Sequence, residues 1–239
     1  LKLDPNDKDY PFSVKPDTLV TLEALIDVFK DYYEGTPFDM TKNIKVTDKD
    51  GKSIISPLAS PHMPYDANDL YGVNGGWNEL GERTIARWYT MYATIIQLRS
   101  WLPDEIGGVE WLAMDNVATS IYGPIYGCVT DLPSQYKTPG RINGYSLESA
   151  WWIFNRLGTL TSQRWGDMRH DVDAVWIPMQ KQLIDEQKDV DQQALELYHR
   201  NKKSAIEFLN EYSNEEGEKV MKEAIKLGDF LWTKYDEKF

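Results

Sequence analysis

Three sets of residues in this chain have the types and spacing that could do chemistry. Cys128, after Gly127, is the single cysteine. A thiol nucleophile needs a base within hydrogen-bond reach and a site that polarises it. Nothing near Cys128 in the sequence supplies either, so it reads as a small buried residue. Asp104, Glu105, Glu110 and Asp115 form an acidic set of the kind that does paired acid–base work at about 5–10 Å. They fall at a turn and at strand ends, where solvated carboxylates are the simpler reading. Arg87 and Arg99 flank a strand-like run. An arginine within a covered strand must find a carboxylate or face a cleft that holds an anionic or carbonyl group, because an unpaired buried charge is very costly. The internal ion pair is the favoured reading.

The other metal- and base-type residues carry less. Of the three histidines, His62 falls in a loop and His170 and His199 in helical sequence, so no histidine metal site is expected. The run DKDGKS overlaps part of a calcium loop, but Ala59 stands at the twelfth position counted from Asp48, where that loop needs Glu. Asp50–Gly51 reads better as the turn of a hairpin over 42–56.

The elements that position these residues follow from periodicity. Residues 84–99 alternate β-branched and aromatic side chains on both faces and predict a strand covered on both sides. Val109–Met114 and Ser120–Val129 read as two more, making an antiparallel meander broken by Pro103 and Gly107–Gly108. Before it, 18–34 predicts an amphipathic helix with Leu22, Leu25, Ile26, Phe29 and Tyr33 on one face, capped by Thr18 or Thr21 and stopped by Gly35 and Pro37. Residues 57–82 and 131–146 are turn-rich loops. From Leu147 onward the pattern is helical, with Pro178 expected to kink or interrupt it. Two further helices, Asp191–Tyr212 and Glu215–Tyr235, are expected to split near Ser213–Asn214. The organisation predicted is a linker, or a chain entered midway, over 1–16; a helix, hairpin, loop and meander over 17–146; and packed helices over 147–239.

Bulk properties narrow the function. At 239 residues, 41% of them hydrophobic, the chain can bury a core. Nine tryptophans point to thick aromatic packing or to carbohydrate- or peptide-like pockets, packing being the simpler reading. A net charge of −12 argues against nucleic acid or an anionic membrane as partner. No run approaches the roughly 20 apolar residues of a membrane span.

Four stretches taken together are specific: DYYEGTPFDMTK at 31–42, RSWLPDEIGGVEW at 99–111, IYGPIYGCVTDLP at 121–133 and SAWWIFNRL at 149–157. They resemble the dipeptidase A-type members of the bacterial N-terminal-nucleophile hydrolases, from about Tyr10 to Tyr235. The resemblance implies an α+β fold, part of an αββα sandwich with a C-terminal helical region. It also implies hydrolysis of dipeptides through a thioester on a cysteine that becomes the first residue of the mature protein, whose α-amino group, with a pKa near 8, accepts the thiol proton. No cofactor is implied. Residue 1 here is Leu1 and Cys128 matches no nucleophile of the family. The expectation is therefore a C-terminal portion with no catalytic residue of its own, inactive alone, in which Arg87, Arg99 and Trp101 line or brace the cleft. A dipeptide substrate and a homo-oligomer are the partners considered; the compartment stays open. A non-catalytic binding or assembly module and an acylase-type amide hydrolase remain as alternatives.

Overall fold

A computed structural model describes residues 9–61 and 84–238. In chain order the elements are helix α1 (Leu22–Lys30), strands β1 (Lys45–Thr47), β2 (Ser53–Ile55) and β3 (Tyr92–Leu98), and the one-turn helix α2 (Asp104–Gly107). Strands β4 (Gly108–Met114) and β5 (Gly123–Tyr126) and the one-turn helix α3 (Ser134–Lys137) follow. Three helices close the chain: α4 (Ala150–Gln163), α5 (Trp165–Arg200) and α6 (Lys202–Lys234). This is an α+β fold.

The meander is present, antiparallel in the order β3-β4-β5, with Ile95 opposite Trp111 and Trp111 opposite Pro124. Its first strand is shorter than the alternation over 84–99 predicts. Residues 84–91 instead turn against the end of α1: the Ala86 N–H donates to Asp31 O at 2.9 Å, and Thr90 N–H closes a turn onto Arg87 O. Nor do the described residues cover both faces of β3. Its helix-side residue Ile95 is buried, but Tyr92, Ile96 and Leu98 on the other face are 63%, 59% and 77% exposed. The period-2 pattern is honoured by both faces of the sheet, and among the described residues only one of them has a layer on it.

That layer is α5 and α6. Trp165, Met168, Val172, Trp176, Leu183, Val190 and Ala194 form the buried stripe of α5, and α6 packs along α5, α4 and β5. Pro178 lies inside α5 without interrupting it. The missing ladder bond is outweighed by tertiary anchors on either side: Trp176 Nε1 donates to Thr119 O at 2.9 Å, and Gln180 both accepts from Tyr122 N (2.8 Å) and donates to Tyr122 O (3.0 Å). The expected split at Ser213–Asn214 is absent, and α6 runs through it. Ser213 Oγ accepts from Tyr126 N, and Asn214 Nδ2 donates to Asp131 O, so these polar residues tie the helix to the strand and the loop beside it. The chain breaks at Asn201 instead, whose Oδ1 caps α6 by accepting from Lys203 N at 3.0 Å. A further break, at Arg164, separates α4 from α5.

Helix α1 is shorter than 18–34. Thr21 caps it, accepting from Ala24 N, and it ends at Lys30, where Asp31 Oδ1 accepts from Tyr33 N and Tyr33 turns to φ 70. Of its apolar face only Ile26 is buried. The hairpin β1–β2 turns at Gly51 (φ 77), and Asp48 Oδ1 accepts from Asp50 N and Lys52 N, so the aspartate serves the turn. His62 and most of the loop over 57–82 lie outside the described residues. Among the described residues no helix is long and apolar enough to cross a membrane.

Candidate active site

The β3–β4 connection places Arg99 and Trp101. Arg99 is 7% exposed; it forms an ion pair with Asp191 of α5 and donates to Ile106 O at 2.7 Å and Gly107 O at 3.4 Å. Trp101 is 78% exposed. Arg87 lies at the other end of β3, half-buried, with its guanidinium 4.5 Å from the centre of the Tyr89 ring and no ion pair among the described residues. A seven-residue strand spans about 20 Å, so Arg87 and the Arg99–Trp101 turn occupy opposite ends of the sheet.

The acidic set is divided by β4 in the same way. Asp104 and Glu105 sit in α2 at its start and Asp115 just past its end. Glu105 pairs with Lys202, whose hydrogen bond holds its carboxyl below the usual range. Asp115 does not behave as a solvated carboxylate. It is 3% exposed, and burial pushes its pKa up to about 6, partly offset by hydrogen bonds from Asn155 and the Asn116 backbone and by the charge of Arg141.

Local sequence explains how Asp115 is placed. The chain leaves β4 through a left-handed residue, Asp115 at φ 58, one of the few non-glycine types that tolerates this region. Its N–H donates to Met91 O at 3.0 Å, closing the strand end. Asn116 then starts a 3₁₀ turn, its Oδ1 accepting from Ala118 N at 3.1 Å. From α4, Asn155 Nδ2 donates to Asp115 Oδ1 at 3.0 Å. Gly158 permits that approach: a Cβ there would meet Asp115 Oδ2 and Thr119 Oγ1 at 3.1 Å each.

Asp115, Asn116, Asn155 and Gly158 line a pocket of about 210 Å³, closed by Trp88 and Arg141. Arg141 is exposed and lies 4.9 Å over the ring of Trp151, the second residue of α4. The pocket therefore offers a buried carboxylate, an amide donor and a cation at its mouth. Periodicity could not find Asn116, Asn155, Arg141 or Trp88, since they come from four separate segments. The one available signal was Gly158 inside a helix, where glycine costs about 1 kcal/mol unless something must come close.

A larger cavity of about 470 Å³ lies between α1 and α5, with Ile26 and Trp176 among its walls. Lys30 in its wall, half-buried, donates to Ser120 O at 2.9 Å, and burial lowers its pKa.

Cys128 lies just beyond β5, half-buried, and burial pushes its thiol up. A thiol in that state is a poor nucleophile.

The chain belongs to peptidase family C69, whose model matches residues 1–177. It is similar to a probable dipeptidase B of Lactococcus lactis subsp. lactis (strain IL1403), 23% identical over 169 residues, which are 71% of this chain and 28% of that protein. It is also similar to dipeptidase A of Lactobacillus helveticus, 25% identical over 168 residues, 70% of this chain and 28% of that protein. The matched region thus spans well under a third of either relative's length. The family match places the chain in a peptidase family, and both of these relatives are named as dipeptidases.

Proposed function

We propose that the intact protein is a dipeptidase whose nucleophile is an N-terminal cysteine outside these 239 residues, and that the 239 residues alone are inactive. The observation that carries the proposal is the state of Cys128 in a chain of a peptidase family: the one thiol present is half-buried, raised by burial, and follows a strand that serves the core. In this reading the chain supplies the sheet and the Asp115 pocket as a wall of the cleft, while Arg99 braces the far end of the sheet through Asp191. Arg87 stands beside that pocket through its neighbour Trp88, and Trp101 extends the open edge.

The bare face of β3 fits the same proposal. Tyr92, Ile96 and Leu98 are apolar and exposed side by side, a surface that a second sheet of an αββα sandwich would cover.

The test is hydrolysis of a dipeptide panel by three proteins: the intact protein, its N-terminal cysteine→Ala variant, and this chain alone. Activity only in the first is expected. Thiol-reagent-sensitive hydrolysis by the chain alone would return the role to Cys128, and cleavage of acyl amides without dipeptides would make the protein an acylase.

A further inference from the structure

The Asp115 pocket holds two features that packing does not require. Asp115 is buried with no ion pair among the described residues, although Arg141 lowers its pKa from the mouth. Asn116 is 2% exposed, yet among the described residues its Nδ2 has no hydrogen-bond partner. A buried amide N–H without a partner and a buried carboxylate without a counter-charge are each unfavourable unless something else compensates them.

We propose that Asp115 is the seat for the free α-ammonium group of a peptide substrate, with the Asn116 amide donating to an oxygen of the same ligand. The proposal rests on the dipeptidase reading and adds what selects the substrate's amino end. An ammonium is the group that compensates a desolvated carboxylate. An anion would be repelled by Asp115, and a divalent cation would find one carboxylate where it prefers several. The donor and the acceptor stand on consecutive residues, matching a ligand whose ammonium and nearest oxygen are a few bonds apart. About 210 Å³ admits the end of a peptide and leaves little room for a further residue beyond it. Gly158 and Asn155 keep α4 close enough to hold the carboxylate in place.

The experiment compares dialanine with N-acetyl-dialanine on the intact wild-type protein and on Asp115→Asn, reading kcat and KM separately. Wild type should favour the free dipeptide. Asp115→Asn should raise KM for dialanine about 10- to 100-fold, the range for losing a hydrogen bond to a charged group, and leave the acetylated substrate nearly unchanged. A merely structural defect would lower both substrates together. An unchanged preference in the variant, or a wild type indifferent to acetylation, overturns the proposal. If the intact protein cleaves no dipeptide, the peptidase reading falls, and calorimetric titration with dialanine decides the pocket. Binding that Asp115→Asn weakens retains the ammonium seat, and equal or absent binding removes it.

Discussion

Arg99 and Asp191 form an ion pair that joins the end of β3 to the last third of α5, with side chains 7% and 14% exposed. The pair does not stand alone. Tyr126 Oη of β5 donates to the second oxygen of Asp191 at 2.7 Å, and the guanidinium also serves two carbonyls of α2. Removing either partner leaves a buried charge, which costs about 3–5 kcal/mol. Arg99→Ala and Asp191→Ala should each lose that much in urea denaturation of the chain. Arg99→Lys should recover little, because an ammonium cannot serve three acceptors with the fork geometry of a guanidinium. A loss below 1 kcal/mol would make the pair incidental.

That pair also marks the limit of what sequence could disclose. The need of Arg99 for a partner follows from elementary electrostatics, but the partner is 92 residues away, and no periodicity links them. The meander was legible because alternation and its Pro and Gly breaks are local signals. The helix boundary at Asn201 was not, because Ser213 and Asn214 look like breakers until Tyr126 and Asp131 are seen to use them. Asp115 was legible as an acidic residue at a strand end and illegible as a buried one. Its burial is decided by α4, which approaches only through Gly158.

Asp115 gives a pH dependence of definite sign. Its folded pKa of about 6 lies above the unfolded value of 3.8, so between those values the folded state holds the extra proton. Stability then falls as pH rises through that window, by about 2–3 kcal/mol at most. Asp115→Asn keeps an acceptor for Asn155 and a residue that tolerates left-handed backbone, and it cannot ionise. It should be more stable than wild type at pH 7 and about equal at pH 4. Urea midpoints across that range check it; a variant less stable at pH 7 would show that the carboxylate is compensated in the folded chain.

Ile96→Lys tests the bare face of β3. The side chain is 59% exposed here, so in the 239-residue chain the change should lie within about 0.5 kcal/mol. In the intact protein, if a second sheet covers this face, it should cost several kcal/mol through a buried unpaired charge. Equal effects in the two proteins would leave the face uncovered in both.

Gly166, in the first turn of α5, holds the segment after the hairpin. Its N–H donates to Pro57 O at 2.9 Å, and a Cβ would stand 2.9 Å from Pro57 Cα and 3.1 Å from Ser56 O. Those are backbone atoms of a segment that cannot swing aside as a side chain does. Alanine is worth up to about 1 kcal/mol over glycine in a helix interior, less in a first turn, while overpacking costs about 1–3 kcal/mol. The clash should win. Gly166→Ala is therefore expected to lower stability by about 1–2 kcal/mol and to increase proteolytic cleavage within residues 42–60, with cleavage in α5 and α6 unchanged. A variant as stable as wild type and equally resistant there would mean that the segment yields to the methyl group at no cost.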